Sequence, residues 1–208
     1  MFRVGRLVIL GGPSCSGKTS LIERMKNQGC PDFCAELGLD SPASWTYLEA
    51  KHLHRISNTF VERLVVHYDL TSVYSRQNGF EYARDLLNGA ADTTVVTLCT
   101  PPEILIQRTS NRLRSHLMPK AAQRPRRVRP TRVLRLLCRR RALRKGYSTF
   151  LYQRWAELLK ESPEVEHFVL DSSRPALTLA RAETNAGFQG SFGGPLGFIG
   201  HMPHQAIA

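Results

Sequence analysis

The sequence predicts an α/β protein whose parallel sheet of about five strands has helices on both faces. Apolar runs rich in β-branched residues, which are typical of buried strands, occur at residues 7–10, 60–70, 93–100 and 167–171. Segments with a helical spacing of apolar residues lie between these runs, and such an alternation of strands and helices forms a parallel sheet. The 208 residues suit one domain with a substantial core.

The first half of the chain contains three candidate strands. A helix that begins at Lys18 follows the first of them. Residues 35–39 are a weak candidate for a second strand or for a loop. Pro42 stands at the first position expected of a helix, which predicts a helix over residues 45–56. The apolar run that follows closes on Asp69 and is the third strand candidate.

The second half continues the alternation. We expect an exposed loop at residues 71–79, a helix at 80–87 and the clearest strand at 93–100. Pro101 begins the next helix. A helical pattern with interruptions then covers residues 133–160, and the last strand follows it.

The turn after the first strand carries the most specific motif. Gly12, Gly17, Lys18 and Thr19 match the phosphate-loop pattern G-x-x-x-x-G-K-[ST] at every fixed position. Glycine permits backbone angles that let successive N–H groups turn inward, and a helix N-terminus adds positive potential. We therefore expect this segment to bind the phosphates of ATP through Gly12, Pro13, Ser14, Cys15, Ser16, Gly17, Lys18, Thr19 and Ser20.

Four side chains are candidates for catalysis. Lys18 is expected to reach the β- and γ-phosphates, while Thr19 and Asp69 bind Mg²⁺. Asp69 could instead accept the proton of an acceptor hydroxyl or cap a turn. Arg108 and Arg112 are four residues apart and share one helix face, where they could neutralise charge on a transferring phosphoryl group or form a solvated basic face.

One segment carries the basicity of the chain. The net charge is +12, yet residues 104–156 contain no Asp or Glu and about half of the Lys and Arg, so the remainder is nearly neutral. The prolines in residues 114–132 predict a mobile loop. Most of the other arginines are expected to form a solvated basic face: Arg126, Arg127, Arg129, Arg139, Arg140 and Arg144.

With these features, the chain resembles the P-loop kinases of the nucleoside-monophosphate-kinase-like group, which includes shikimate, gluconate and guanylate kinases. Residues 98–108 are similar to the fourth strand of that group and to the helix that leads into its arginine-bearing lid. The resemblance covers residues 7–171. It implies a three-layer P-loop NTPase fold that binds ATP and Mg²⁺, with an Arg-rich lid that closes over the nucleotide.

The domain boundaries follow from this resemblance. A kinase-like domain is expected over residues 1–181, with a basic lid insertion around residues 109–145. Residues 182–208 form a Gly-rich tail without periodicity, which predicts disorder. The chain has no N-K-x-D motif, which argues against a signalling GTPase, and no D-x-D pair of the kind expected in a shikimate-kinase acceptor site.

The function expected from these features is a Mg²⁺-dependent phosphotransferase that acts on a small metabolite or nucleotide as an acceptor of unknown identity. The alternative is a regulatory ATPase that binds nucleic acid through residues 114–145. No aromatic residue is interleaved with that segment, which argues against single-strand stacking. Candidates for the acceptor pocket are Glu36, Asp40, Trp45, Tyr47, His67, Tyr68 and Arg76. Trp45 and Tyr47 are more typical of packing residues, and a histidine inside a strand, such as His67, is more typical of a core residue.

Composition also restricts location. No apolar run approaches the ~18 residues of a membrane-spanning helix, and the apolar run at residues 7–10 is too short for a signal peptide, so we expect no membrane partner. The five cysteines are scattered and odd in number, which is typical of free thiols in the reducing cytoplasm.

Overall fold

The computed structural model describes residues 3–56, 58–71, 80–117, 130–174 and 177–181. Six strands form one sheet: β1 Arg3–Gly12, β2 Thr46–Glu49, β3 Phe60–Asp69, β4 Ala90–Cys99, β5 Glu166–Asp171 and β6 Leu179–Arg181. The α-helices are α1 Lys18–Lys26, α2 Pro31–Glu36, α3 Glu81–Asn88, α4 Pro102–Leu117, α5 Pro130–Arg144 and α6 Tyr147–Lys160. Two 3-10 helices are also present, Pro42–Ser44 and Ala50–Ile56.

β1 lies inside the sheet, in the order β2-β3-β1-β4-β5-β6. It pairs in parallel with both β3 and β4, and only the edge strand β6 is antiparallel. The chain therefore goes to one side of β1 for β2 and β3 and to the other side for β4 and β5. In open α/β sheets, ligands bind at the carboxyl ends of the strands where the order reverses, which here is the end of β1.

The two faces of β1 enter two separate cores. Leu7 and Ile9 are buried with residues of α3 and α6, whereas Val8 and Leu10 are buried with residues of α1 and α2. This alternation follows from the two-residue period of a strand. The predicted α/β class, with helices on both faces of a mostly parallel sheet, is therefore confirmed.

The prediction for residues 35–56 was correct only in part. Of residues 35–39, the candidate for a second strand or a loop, the first two end helix α2 and the others lie in the connection after it. The second strand is β2, in the segment where a helix was expected, and only Ala50–Ile56 of that segment is helical, as a 3-10 helix. β2 pairs with β3 in parallel, with Tyr47 opposite Val65, so pairing with a distant strand outweighs the local preference of Pro42 for the first position of a helix. Pro42 begins the short 3-10 helix Pro42–Ser44 instead.

Other differences concern the ends of the sheet and the connections. The antiparallel strand β6 was not predicted, so the sheet has six strands where about five were expected. The interruption expected within residues 133–160 lies between α5 and α6. Residues 72–79 of the loop predicted at 71–79, residues 118–129 of the loop predicted at 114–132 and the tail 182–208 lie outside the described residues. Residues 114–117 and 130–132 were wrongly assigned to that loop, because they belong to helices α4 and α5. Among the helices that the structure describes, none combines the length and apolarity needed to cross a membrane.

Trp155 of α6 connects one core to the end of β1. Its side chain is fully buried and stacks on Tyr68 with ring centroids 5.3 Å apart. Its Nε1 donates to Thr97 Oγ1 at 2.9 Å. A Cβ on Gly11 would lie only 3.2 Å from the indole ring. Helix α6 therefore packs directly against the last residues of β1 and supports the turn that follows.

We expect Trp155→Ala to lower the free energy of unfolding by about 3–5 kcal/mol, because it removes a fully buried ring and leaves a cavity. Phe150→Ala on the same helix is the matched control, since that ring is 50% exposed, and it should cost about 1 kcal/mol or less. Urea denaturation of both variants measures the difference, and equal losses would contradict this description of the core.

Candidate functional site

Residues 12–19, here called the glycine loop, connect β1 to α1. Gly17 precedes α1 with a φ of 101°, a left-handed conformation that disfavours any side chain. A Cβ on Gly12 would lie 2.7 Å from Ser16 Oγ and 3.0 Å from Leu98 O. Both positions therefore require glycine. The first amides of α1 have no acceptor within the helix and lie at the positive end of its dipole.

The Lys18 side chain is buried inside this loop. Its Nζ donates to the carbonyl oxygens of Gly12 at 2.6 Å and Pro13 at 2.7 Å, and to Ser16 Oγ at 3.3 Å. Burial lowers the pKa of Lys18 to about 8, although the negative charge of Asp69 opposes this shift. The ammonium group is thus a cation enclosed by neutral oxygens, with Asp69 as its main electrostatic partner.

Asp69 ends β3 directly beside Gly12, its partner in the sheet register. Its Oδ1 accepts hydrogen bonds from the Thr71 amide at 2.9 Å and the Thr71 hydroxyl at 2.6 Å. Burial raises the pKa of Asp69, but the charge of Lys18, the Thr71 hydrogen bonds and the charge of Arg139 outweigh it and hold the pKa below its usual value. The carboxylate is therefore ionised at neutral pH.

Arg139 of α5 joins the glycine loop to β3. Its Nη1 donates to Ser14 Oγ at 2.6 Å, and its Nη2 lies 3.8 Å from Asp69 Oδ2. Arg139 was expected to belong to a solvated basic face, and the structure corrects this expectation. The available signal was the helical spacing of Arg132, Arg135 and Arg139, which places them on one face of α5.

Arg108 and Arg112 project from α4 on the other side of the loop. Arg108 donates from Nη1 to Cys15 O at 3.4 Å and from Nη2 to Ser172 O at 2.6 Å. Arg112 lies one turn further along α4 and is exposed. Arg108 therefore links the glycine loop to the residues after β5, while Arg112 extends the same cationic side of the helix.

These groups surround one cavity of about 870 Å³. Ligand pockets commonly have volumes of roughly 300–1,000 Å³. Asp69, Arg108, Arg112 and residues 14–20 all line it, so the structure brings the predicted nucleotide-binding side chains together. Gly12 and Pro13 are not among the lining residues, and their carbonyl oxygens accept hydrogen bonds from Lys18 Nζ.

Most of the predicted acceptor residues lie elsewhere. Of the acceptor candidates that the structure describes, only His67 lines the cavity. Trp45 and Tyr68 are buried in the two cores, and the Tyr47 hydroxyl donates to Pro42 O, so none of the three lines the cavity. Trp45 and Tyr47 are therefore packing residues, the alternative expected of them. Glu36 and Asp40 are also absent from the lining, and Arg76 lies outside the described residues.

Two cavity residues at the end of β2 were missed. Glu49 and Lys51 form an ion pair at 2.5 Å, and Glu49 lies opposite His67 in the strand register. Burial, with the charge of Lys18, lowers the pKa of His67 to about 4, so its imidazole is neutral at pH 7. The error over β2 explains the omission of Glu49, which was expected on a helix, whereas Lys51 lies in the 3-10 helix that follows β2.

A magnesium ion fits the oxygen chemistry of the site. Within the described residues, no group of three or more His, Cys, Asp or Glu side chains is placed to hold a metal ion. Mg²⁺, however, takes few protein ligands, usually one or two, and keeps waters or substrate phosphates for the rest. The exposed Thr19 hydroxyl and the ionised Asp69 carboxylate both line the cavity and could supply such ligands.

No model of a known protein family matches this chain, and no curated protein matches it either. The features that bear on function are therefore the geometry and charge of the cavity and the sequence pattern of the glycine loop. These features define a class of site, one that is cationic, concave and built at the end of a central parallel strand.

The buried Lys18 ammonium predicts a specific pH dependence. Its pKa is about 8 when folded against 10.5 for the ordinary side chain, so the unfolded chain binds more protons between these values. The free energy of unfolding should therefore rise with pH from 8 to 10.5, by at most about 3 kcal/mol from this group. Lys18→Met should lack this rise, which urea denaturation across the pH range measures. A difference between parent and variant that stays constant with pH would contradict the burial of the charge.

We expect Arg139→Gln to lower the free energy of unfolding by about 1–3 kcal/mol, because it removes a charge-assisted hydrogen bond to Ser14 and an ion pair with Asp69. Arg141→Gln, an exposed position on the same helix, is the matched control and should change it by about 0.5 kcal/mol or less. Thermal unfolding of both variants compares them. Equal effects would mean that Arg139 contributes no more than a surface charge.

Proposed function

We propose that this protein binds ATP with Mg²⁺ at the glycine loop and transfers the terminal phosphoryl group to a small metabolite or nucleotide. One observation carries the proposal: a lysine ammonium is buried among the oxygens of a loop that requires glycine at Gly12 and Gly17, at the beginning of α1. Helix N-termini of this type favour bound phosphate because of their free amides and dipole.

Each charged residue then has a distinct role in the proposed reaction. Lys18 and the first amides of α1 bind the β- and γ-phosphates, and Thr19 and Asp69 hold the metal. Mg²⁺ supplies charge neutralisation between the phosphates when bound. Arg108 and Arg112 stabilise negative charge that develops on the transferred group. Positioning and electrostatics would account for most of the catalysis.

The pKa values favour metal binding by Asp69 over proton transfer. The pKa of Asp69 is held below its usual value despite burial, because Lys18, Thr71 and Arg139 stabilise the carboxylate. A carboxylate of low pKa is a weak base, since an efficient general base has a pKa near the working pH. The lowered pKa of His67, about 4, makes the imidazole a weak base for the same reason.

A second candidate function is a regulatory ATPase that binds nucleic acid through the basic segment. It is favoured by Arg114, Arg141 and Arg144, which are exposed and do not line the cavity. Phosphate contacts by such residues would give an affinity that falls steeply with salt. A kinase would instead consume ATP faster when the correct acceptor is added, which a coupled ADP-release assay with a panel of acceptors measures.

The nucleotide part of the proposal is tested by thermal unfolding with Mg²⁺–ATP. At an ATP concentration 100 times the Kd, binding stabilises the parent by about 2.7 kcal/mol and raises its Tm. Lys18→Met should abolish this rise because it removes the ammonium that faces the loop oxygens. Lys160→Met, a change of the same chemistry at an exposed residue of α6, should leave it intact.

The Lys18→Met variant must first have the far-UV circular dichroism spectrum of the parent, which establishes that it is folded. If it then responds to ATP as the parent does, the glycine loop is not the nucleotide site. If the parent shows no response at saturating ATP, the protein does not bind this nucleotide and the proposed function is wrong.

A further inference from the structure

The cavity carries more positive charge than its own carboxylates balance. Among the residues that the structure describes, nine lysine and arginine side chains line it, against the two carboxylates of Glu49 and Asp69. Glu49 is already paired with Lys51, and Asp69 lies between Lys18 and Arg139. Like charges that are brought together repel one another unless an anion compensates them. The site is therefore built for more negative charge than the protein supplies.

The excess lies on two helix faces, here called the cationic rows. On α4 the row is Arg108, Arg112 and His116, and on α5 it is Arg132, Arg135 and Arg139, with all six side chains lining the cavity. Spacings of three and four residues place each row on one side of its helix. The two helices pack against each other, so the rows belong to one wall.

Only one end of each row contacts the glycine loop. Arg108 donates to Cys15 O, and Arg139 donates to Ser14 Oγ. At a rise of about 1.5 Å per residue, Arg132 lies roughly 10 Å further along α5 than Arg139. Arg112, Arg132 and Arg135 are exposed to the cavity, and none has a carboxylate partner within the part of the chain that the structure describes.

We propose that Arg132 and Arg135 form a second anion site, which binds a phosphate group of the phosphoryl acceptor. The acceptor is thus a phosphorylated molecule and not a neutral polyol. Guanidinium groups suit this role because they are permanently charged and bind phosphate oxygens in pairs. This inference rests on the proposed function, since it assigns the acceptor of the same reaction.

The reaction balances without a further reactant. An acceptor oxygen forms a bond to the γ-phosphorus while the bond from that phosphorus to the β–γ bridging oxygen breaks. The nucleoside diphosphate leaves with the electron pair, and any proton on the acceptor oxygen passes to solvent. The second anion site takes no part in these bonds: it orients the acceptor and offsets its charge beside the triphosphate.

Calorimetric titration tests the second site separately from the first. The full chain is saturated with Mg²⁺ and a non-hydrolysable ATP analogue, and ribose 5-phosphate or ribose is then titrated. We expect ribose 5-phosphate to bind and ribose to give no measurable heat. The double variant Arg132→Gln, Arg135→Gln should bind ribose 5-phosphate at least tenfold more weakly than the parent does. Its affinity for the ATP analogue should change by a smaller factor than its affinity for ribose 5-phosphate.

The matched control is Arg141→Gln, Arg144→Gln, which removes the same charge from exposed positions of the same helix outside the cavity. It should change the affinity for ribose 5-phosphate less than twofold. Equal losses in the two double variants would overturn the inference, because they would reflect net charge alone. Equal binding of ribose and ribose 5-phosphate would overturn it as well.

The two proposals fail in distinguishable ways. If the ATP analogue does not bind the parent chain, the proposed function falls and this inference falls with it. If the analogue binds and requires Lys18, but ribose 5-phosphate does not bind or ignores Arg132 and Arg135, only the second anion site is wrong.

Discussion

Burial of the Lys18 ammonium is the constraint on which the rest of the site depends. A cation removed from water is stable only if oxygens and an opposite charge surround it. The carbonyl groups of Gly12 and Pro13 and the Ser16 hydroxyl supply the oxygens, and Asp69 supplies the charge. The loop can present those oxygens only because glycine at its two ends permits the close approach and the left-handed turn.

The sheet brings that charge and its partners together. β1 and β3 are parallel neighbours, so Gly12 and Asp69 end side by side although they are far apart in the chain. Helices α4 and α5 then place Arg108 and Arg139 on the loop from outside the sheet. Strand β3 thus supplies the ionised carboxylate of the site, and helices α4 and α5 supply its permanently charged arginine side chains.

The local parts of this arrangement could be predicted from the sequence, whereas the non-local parts could not. The strand, loop and helix around Lys18 are contiguous, Asp69 is the last residue of β3, and Arg108 lies on the helix that follows β4. β2 was mistaken for a helix because its pairing with β3 is not encoded in its own residues. Arg139 was assigned to a solvated face because helical spacing shows which residues share a face but not which loop that face meets, and its contact with Ser14 crosses 125 positions of the chain.

The indole of Trp155 gives this molecule an intrinsic optical reporter. Its ring lies against Gly11, immediately before the glycine loop, and is shielded from water on α6. The only other tryptophan, Trp45, belongs to the core on the opposite face of the sheet. Replacing Trp45 by phenylalanine would leave a single fluorophore whose emission follows the surroundings of β1 without any attached dye.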